Sequence, residues 1–176
     1  MIQVRDGDVK KLGTLFERHS TRLLNFFSRH TSRPDLSEDL VQDVFFRMLK
    51  YRQSYRGEAP FTVWMYQLAR NVSADYFRKW KEQPLTDELM EQQHDPDPLP
   101  TEKYQHAEEG EMLRQALSRL TPEKREVLLL SRFQDLRYEE IGRILDCPVG
   151  TVKARVHFAL KDLREEYMKL TKTSSR

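Results

Sequence analysis

The run DPDPLP, residues 95–100, puts three prolines into six positions. No helix continues through it, because each proline removes a backbone donor and its ring clashes with the preceding turn. On both sides of the run, apolar residues recur at steps of three and four, the period of one helix face. No stretch alternates as a half-buried strand would. Around the prolines the charge is one-sided: from Glu82 to Glu111 acids dominate, and Lys103 is the only Lys or Arg. The sequence therefore predicts an all-α chain of two small helical domains, 1–83 and 110–176, joined by an acidic Pro-rich linker over 84–109.

Composition narrows the function classes. The chain has 176 residues, 38% hydrophobic and 33% charged, which suits a polar but foldable protein. Net charge is only +2, yet acids collect in the linker and basic residues return after Arg114. Such segregation fits a nucleic-acid face beside an acidic connector. The one cysteine, Cys147, permits no internal disulfide and no thiolate-rich zinc site. Five scattered histidines offer no metal-ligand spacing, so neither metal nor cofactor is expected. No secretory pattern or membrane-length apolar run is present, and a soluble cytoplasmic protein is the expectation.

In the first half, Leu12, Leu15, Phe16, His19, Leu23 and Phe27 line one face of a helix expected over 9–30, which Pro34 ends. Asp35 with Glu38 resembles a capping box for a second helix. That helix carries Leu40, Val41, Val44, Phe45 and Met48 on its apolar stripe. Asp39, Gln42, Asp43, Phe46 and Lys50 lie opposite. The opposite face is either a solvated surface or, given the large aromatic Phe46, a contact surface. Gly57 and Pro60 mark a loop, and a third helix is expected from Phe61 to about Lys81, with Phe61, Trp64, Leu68, Val72 and Tyr76 as its core stripe. Around it, Arg70, Asn71, Arg78, Lys79, Trp80 and Lys81 mix cations with aromatics. That mixture suits a single nucleic-acid strand, and equally a basic amphipathic helix.

In the last third, Thr121 and Pro122 read as an N-cap and first helical residue. Tyr138 to Leu145 form a short helix with Ile141, Ile144 and Leu145 inward, and Gly142 leaves room for a close crossing. Asp146, Cys147 and Pro148 break it. Val152, Val156, Leu160 and Leu163 then form the stripe of a longer helix. A short helix, a tight turn and a longer helix make a helix-turn-helix, whose second helix enters the major groove. Gly150 and Thr151 stand at its start, where free backbone N–H groups can meet phosphate. Ala154, His157, Phe158 and Lys161 face away from the core, flanked by Lys153 and Arg155. Cys147 is either a nucleophile or a small apolar plug in the turn. The first reading needs a base nearby, and His157 lies ten residues away on the outward face.

Four stretches carry a family resemblance: EDLVQDVFFRMLKY, YRGEAPFTVWMYQLARN, LTPEKREVLLL and YEEIGRILDCPVGTVKARV. In this order, with an acidic linker between the second and third, they resemble the landmark regions of extracytoplasmic-function (ECF) sigma factors. These are two-domain initiation factors of bacterial RNA polymerase and not enzymes. The resemblance implies that Asp39, Gln42, Asp43 and Phe46 dock on the clamp helices of the polymerase largest subunit, with the flap as a further contact. It implies that the loop with Tyr55, Arg56, Gly57 and Glu58, and Phe61 after it, captures a flipped base of the minus-ten strand. Asn71 would contact the same strand, and Arg78 and Lys79 its phosphates. Tyr138, Gly150, Thr151, Lys153, Ala154, Arg155, His157, Phe158 and Lys161 would meet the minus-thirty-five duplex. Promoter DNA and core polymerase are the implied partners, and an anti-sigma factor is one that the family allows. The linker would run toward the active-site cleft. Ala154, His157 and Phe158 depart from the polar residues common in the family, and Ala154 and Phe158 could meet thymine methyls. The alternative is a stand-alone helix-turn-helix regulator, which would bind duplex DNA by itself.

Overall fold

The structure, a computed structural model, describes residues 1–82 and 104–174. Eight α-helices account for most of these residues. A short α1, Ile2–Arg5, precedes the long α2, Lys11–Thr31. The sequence pattern predicted only the second of these, because four residues are too few to show a period. Leu23, Phe26 and Phe27 of α2 are fully buried, each contributing about 1.5–3 kcal/mol by leaving water. Ser32 ends the helix in the left-handed conformation, with φ 58°.

The capping box expected at Asp35 and Glu38 does not form. Pro34–Leu36 make a turn of 3-10 helix, and α3 spans Ser37–Lys50 without a side-chain cap. Arg33 takes both carboxylate oxygens of Asp35, at 3.1 and 2.8 Å, and so removes it from capping. The α3 stripe is as the pattern predicts: Leu40, Val41, Val44, Phe45 and Met48 are buried. A loop closed by the turn Arg52–Ser54 leads to α4, Phe61–Glu82.

Helix α4 is buried on more of its circumference than the single stripe predicted. Leu68 and Val72 are buried as expected, whereas Phe61, Trp64 and Tyr76 are only half-buried. The deepest positions include Val63, Met65, Tyr66 and Ala69. The physical reason is a second neighbour: α4 packs against α3 on one side and α7 on another.

The second unit holds α5 (Tyr104–Ser118), α6 (Pro122–Leu128), a turn of π-helix over Leu129–Phe133, α7 (Tyr138–Leu145) and α8 (Val149–Ser174). Helix α5 begins within the stretch read as linker, most of which lies outside the described residues. Thr121 caps α6 as predicted, its hydroxyl accepting from the Lys124 N–H at 3.5 Å with Pro122 in the first turn. Helix α8 packs on α5, α6 and α7 through Val152, Val156 and Ala159, with Leu160 and Leu163 half-buried. A Lys124–Asp162 pair and Arg119–Glu166, at 3.6 Å, tie its polar edge to the same unit.

Candidate polymerase and promoter interfaces

On α3, Asp39, Gln42 and Phe46 point to solvent, and the Phe46 side chain is 63% exposed. Phe46 thus stands as a large exposed aromatic between acidic and polar neighbours, the pattern expected of a contact surface. Asp43 differs from its neighbours. Its carboxylate is held by Arg47 one turn on, at 3.0 Å, and Arg47 also reaches Asp75 of α4 at 2.8 Å. Arg78 completes the chain by pairing with Asp75 at 2.8 Å. The hydrogen bond from Arg47 holds the Asp75 carboxyl below the usual range, and Arg78 adds to this. The Arg47–Asp75 pair braces α3 against α4, and Asp43 and Arg78 flank it at either end.

The loop at 55–60 divides into an inner and an outer part. Tyr55 is buried, its ring 5.3 Å from Trp64 and 6.2 Å from Phe61. Its hydroxyl donates to the Ala59 carbonyl at 3.5 Å. In this arrangement Tyr55 is an anchor and has no open face for a base. Arg56, Gly57 and Glu58 are exposed, and Gly57 adopts φ +80°, a conformation that disfavours any side chain. Phe61 is half-buried against His19, at 5.1 Å between ring centroids. Asn71 and Lys79 are exposed farther along α4, after the exposed loop.

The helix-turn-helix forms where the sequence places it. Glu140 accepts from the Arg137 N–H at 2.9 Å and caps α7. Asp146 ends α7 at φ 51°, and the Cys147 N–H donates to the Gly142 carbonyl at 2.9 Å. A Cβ on Gly142 would lie 2.8 Å from the Cys147 carbonyl oxygen and 3.8 Å from Val152, so only glycine allows this approach. Cys147 is half-buried against the core, which is the plug reading. Lys153, Ala154, Arg155, His157, Phe158 and Lys161 are all exposed. Phe158 is 59% exposed and meets the His157 ring edge-on at 5.6 Å. Gly150 is exposed, Thr151 is half-buried, and Tyr138 is half-buried against the core.

A further set of residues was not legible in the sequence. The two units pack on each other. Tyr66 of α4 donates to the Gln134 side chain at 2.5 Å, and Gln67 donates to the Arg143 carbonyl at 2.9 Å. Arg70 pairs with Glu126 at 3.5 Å. Burial pushes the Glu126 carboxyl up, and Arg70 opposes that shift. Arg125 is buried and spans both units. It donates to the carbonyls of Leu117, Ser118 and Leu120 at 2.8, 2.5 and 3.0 Å, and across the boundary to the His30 carbonyl at 2.7 Å and the Ser32 hydroxyl at 3.0 Å. Sequence offered no clear signal, because Arg125 and Glu126 sit beside two further charged residues, Glu123 and Lys124, in the same short helix.

Two family models match the chain. One, described as Sigma-70 region 2, covers residues 15–82, and one described as Sigma-70, region 4, covers residues 110–163. The chain belongs to the ECF sigma factors. Among relatives of this sigma factor is the ECF RNA polymerase sigma-E factor of Haemophilus influenzae, 29% identical over 163 residues, covering 88% of this chain and 86% of that protein. RNA polymerase sigma factor YlaC of Bacillus subtilis is 28% identical, over 88% and 91%. Two solved structures share the fold. One is the sigma factor RpoE of Bartonella quintana in complex with the anti-sigma factor NepR, with TM-score 0.69, 23% identity and coverage of 89% and 96%. The other is CnrH in complex with the cytosolic domain of CnrY, with TM-score 0.65, 20% identity and coverage of 93% and 92%. The sigma factor is thus a promoter-specific initiation factor that binds RNA polymerase. A stand-alone regulator is not favoured, because region 2 fills most of the first half. Among the described residues no helix is long and apolar enough to cross a membrane, and no side-chain cluster could hold a metal.

Proposed function

We propose that this sigma factor divides promoter opening among three surfaces. Asp39, Gln42 and Phe46 of α3 dock on the polymerase clamp helices, and Asp43 keeps that face in place through Arg47. Arg56, Gly57 and Glu58 form the rim that receives a flipped minus-ten base. Tyr55 anchors that rim from inside the bundle beside Phe61, and Asn71, Arg78 and Lys79 follow the strand. Taking a base out of the stack makes melting part of recognition. Lys153, Arg155 and Lys161 meet phosphates of the minus-thirty-five duplex, while Ala154, His157 and Phe158 present a largely apolar reading edge to its major groove. Residues 1–83 and 110–176 act as separate units on the promoter, with 84–109 as their connection. The protein carries no chemistry of its own, and it works in the cytoplasm, where the polymerase is.

The observation that carries this reading is the exposure of three dissimilar surfaces on one small helical frame: Phe46 among acids, a glycine-shaped loop, and a basic helix bearing Phe158. The compact arrangement must open for all three to act together. Elements named minus ten and minus thirty-five lie about 25 base pairs apart, roughly 85 Å at 3.4 Å per pair. Helix α8, at 26 residues, is only about 39 Å long, and α7 touches α4 directly. An anti-sigma factor that holds the two units together would keep the protein inactive. The test is transcription with purified core polymerase. Promoter-specific initiation is expected only when both proteins are present. Tight operator binding by the protein alone, with no effect on polymerase, would overturn the reading.

A further inference from the structure

Helix α1 lies outside the part of the chain that the region 2 model matches, yet it is firmly seated. Val4 is fully buried, which anchors the helix to the bundle. Its other contacts go to one place, the start of the loop at 53–57. The Arg5 guanidinium donates to the Tyr55 carbonyl at 3.3 Å. The Gln53 side-chain amide donates to the Arg5 carbonyl at 3.0 Å. Asp6 grips Arg5 at 2.8 Å and sets the angle of the guanidinium. Ile2 approaches Gly57 closely enough that a Cβ there would be 3.5 Å from its Cδ1. Thus Tyr55 is held twice, by its ring inside the bundle and by its carbonyl from α1.

We propose that the segment Ile2–Arg5 is a positioning element for base capture, clamping the backbone of 53–57 in the shape that admits one flipped nucleotide. This rests on the loop being the base-capture element. A capture site tolerates only a few tenths of an ångström of looseness before discrimination falls, and loops reach that precision only when other residues hold them. Tyr55 alone fixes one point of the loop. The contacts from Arg5, Gln53 and Ile2 fix the backbone on both sides of it. Arg5 and Gln53 stand back from the exposed rim at Arg56 and Glu58 and act through the loop.

The experiment uses holoenzyme assembled from core polymerase and the full chain. A promoter is first mapped from transcript starts after overexpression. Pools of that fragment are then randomised over the minus-ten positions, or over the minus-thirty-five positions, and the DNA retained in open complexes is sequenced. For the double variant Arg5→Ala with Gln53→Ala, base preference at the captured position should fall at least five-fold. Preference at minus thirty-five and affinity for core polymerase should stay within two-fold of wild type. Arg5→Lys, which keeps a donor for the Tyr55 carbonyl, should restore most of the preference. An unchanged minus-ten profile, or an equal loss at every position, overturns the proposal. The loop variant Arg56→Ala with Glu58→Ala separates the two levels. If it flattens the captured position and the α1 variant does not, only the positioning role fails. If it too leaves the profile unchanged, the loop assignment fails and the positioning role falls with it.

Discussion

Replacing Arg125 with methionine keeps an unbranched apolar stem and deletes the guanidinium. Five hydrogen bonds go with it, four to carbonyls and one to a hydroxyl. These acceptors cluster at the C-terminal ends of α5 and α2, where the helix dipoles favour a cation. At about 1 kcal/mol net for each bond, the loss is ~5 kcal/mol, and breaking a buried charged network commonly costs about 3–5. Two of the five bonds cross between the units, so about 2 kcal/mol of the loss should fall on their coupling. For a chain of this size each kcal/mol moves Tm by about 2–4 °C, which gives a drop of roughly 10–20 °C. Both tryptophans, Trp64 and Trp80, lie in the first half, so their fluorescence reports that unit alone, whereas circular dichroism reports both. Wild type should melt with the two signals superimposed. In Arg125→Met the dichroism should fall first and the fluorescence later. Superimposed curves with a Tm drop under about 3 °C would show that Arg125 neither supports α5–α6 nor joins the units.

His30 is buried, with Nδ1 3.2 Å from the Ser73 hydroxyl; burial and the nearby Arg125 charge lower its pKa to about 4. The unfolded chain takes up a proton near pH 6.5 and the folded chain does not, so stability is lost as pH falls from about 6.5 toward 4. Between pH 7 and pH 5 the loss should be about 2 kcal/mol by urea unfolding, and His30→Asn should remove most of that slope; an equal slope in the variant would refute the assignment. Gly142→Ala puts a Cβ 2.8 Å from a backbone oxygen and should cost about 1–3 kcal/mol and weaken minus-thirty-five binding; a thermal melt and a duplex titration check both. Lys153 is exposed on α8, so Lys153→Ala should leave Tm unchanged and reduce the salt slope of duplex binding by about 1; an unaltered slope would remove it from the phosphate contacts.

The helix-turn-helix was legible to the residue because its determinants are local. Gly142, the break at Asp146–Pro148 and the Val152–Val156 step all fall between residues 142 and 156. The α3 stripe was legible for the same reason, since five apolar positions at helical spacing have one way to be buried. Where a pattern was short or a neighbour distant, sequence reasoning stopped. Helix α1 has too few residues to show a period, and Asp35 went to Arg33 instead of a helix cap. The burial of Tyr55 against Trp64 and Phe61 was not legible, because it depends on how the loop folds back onto α4.

The sequence by itself determined most of the helices, the run of prolines between the two halves, and the kinds of side chain that line each helix face. All of these follow from spacing along one chain. The tertiary structure alone decided which of those side chains remain open. Asp43 and Arg78 are tied into a brace, Phe46 and Phe158 are left bare, and Arg125 bridges two helix ends with partners as far as 95 residues away. Hydrogen-bond geometry and burial depend on distance in space, and a linear pattern carries that information only where the partners are near neighbours in the chain.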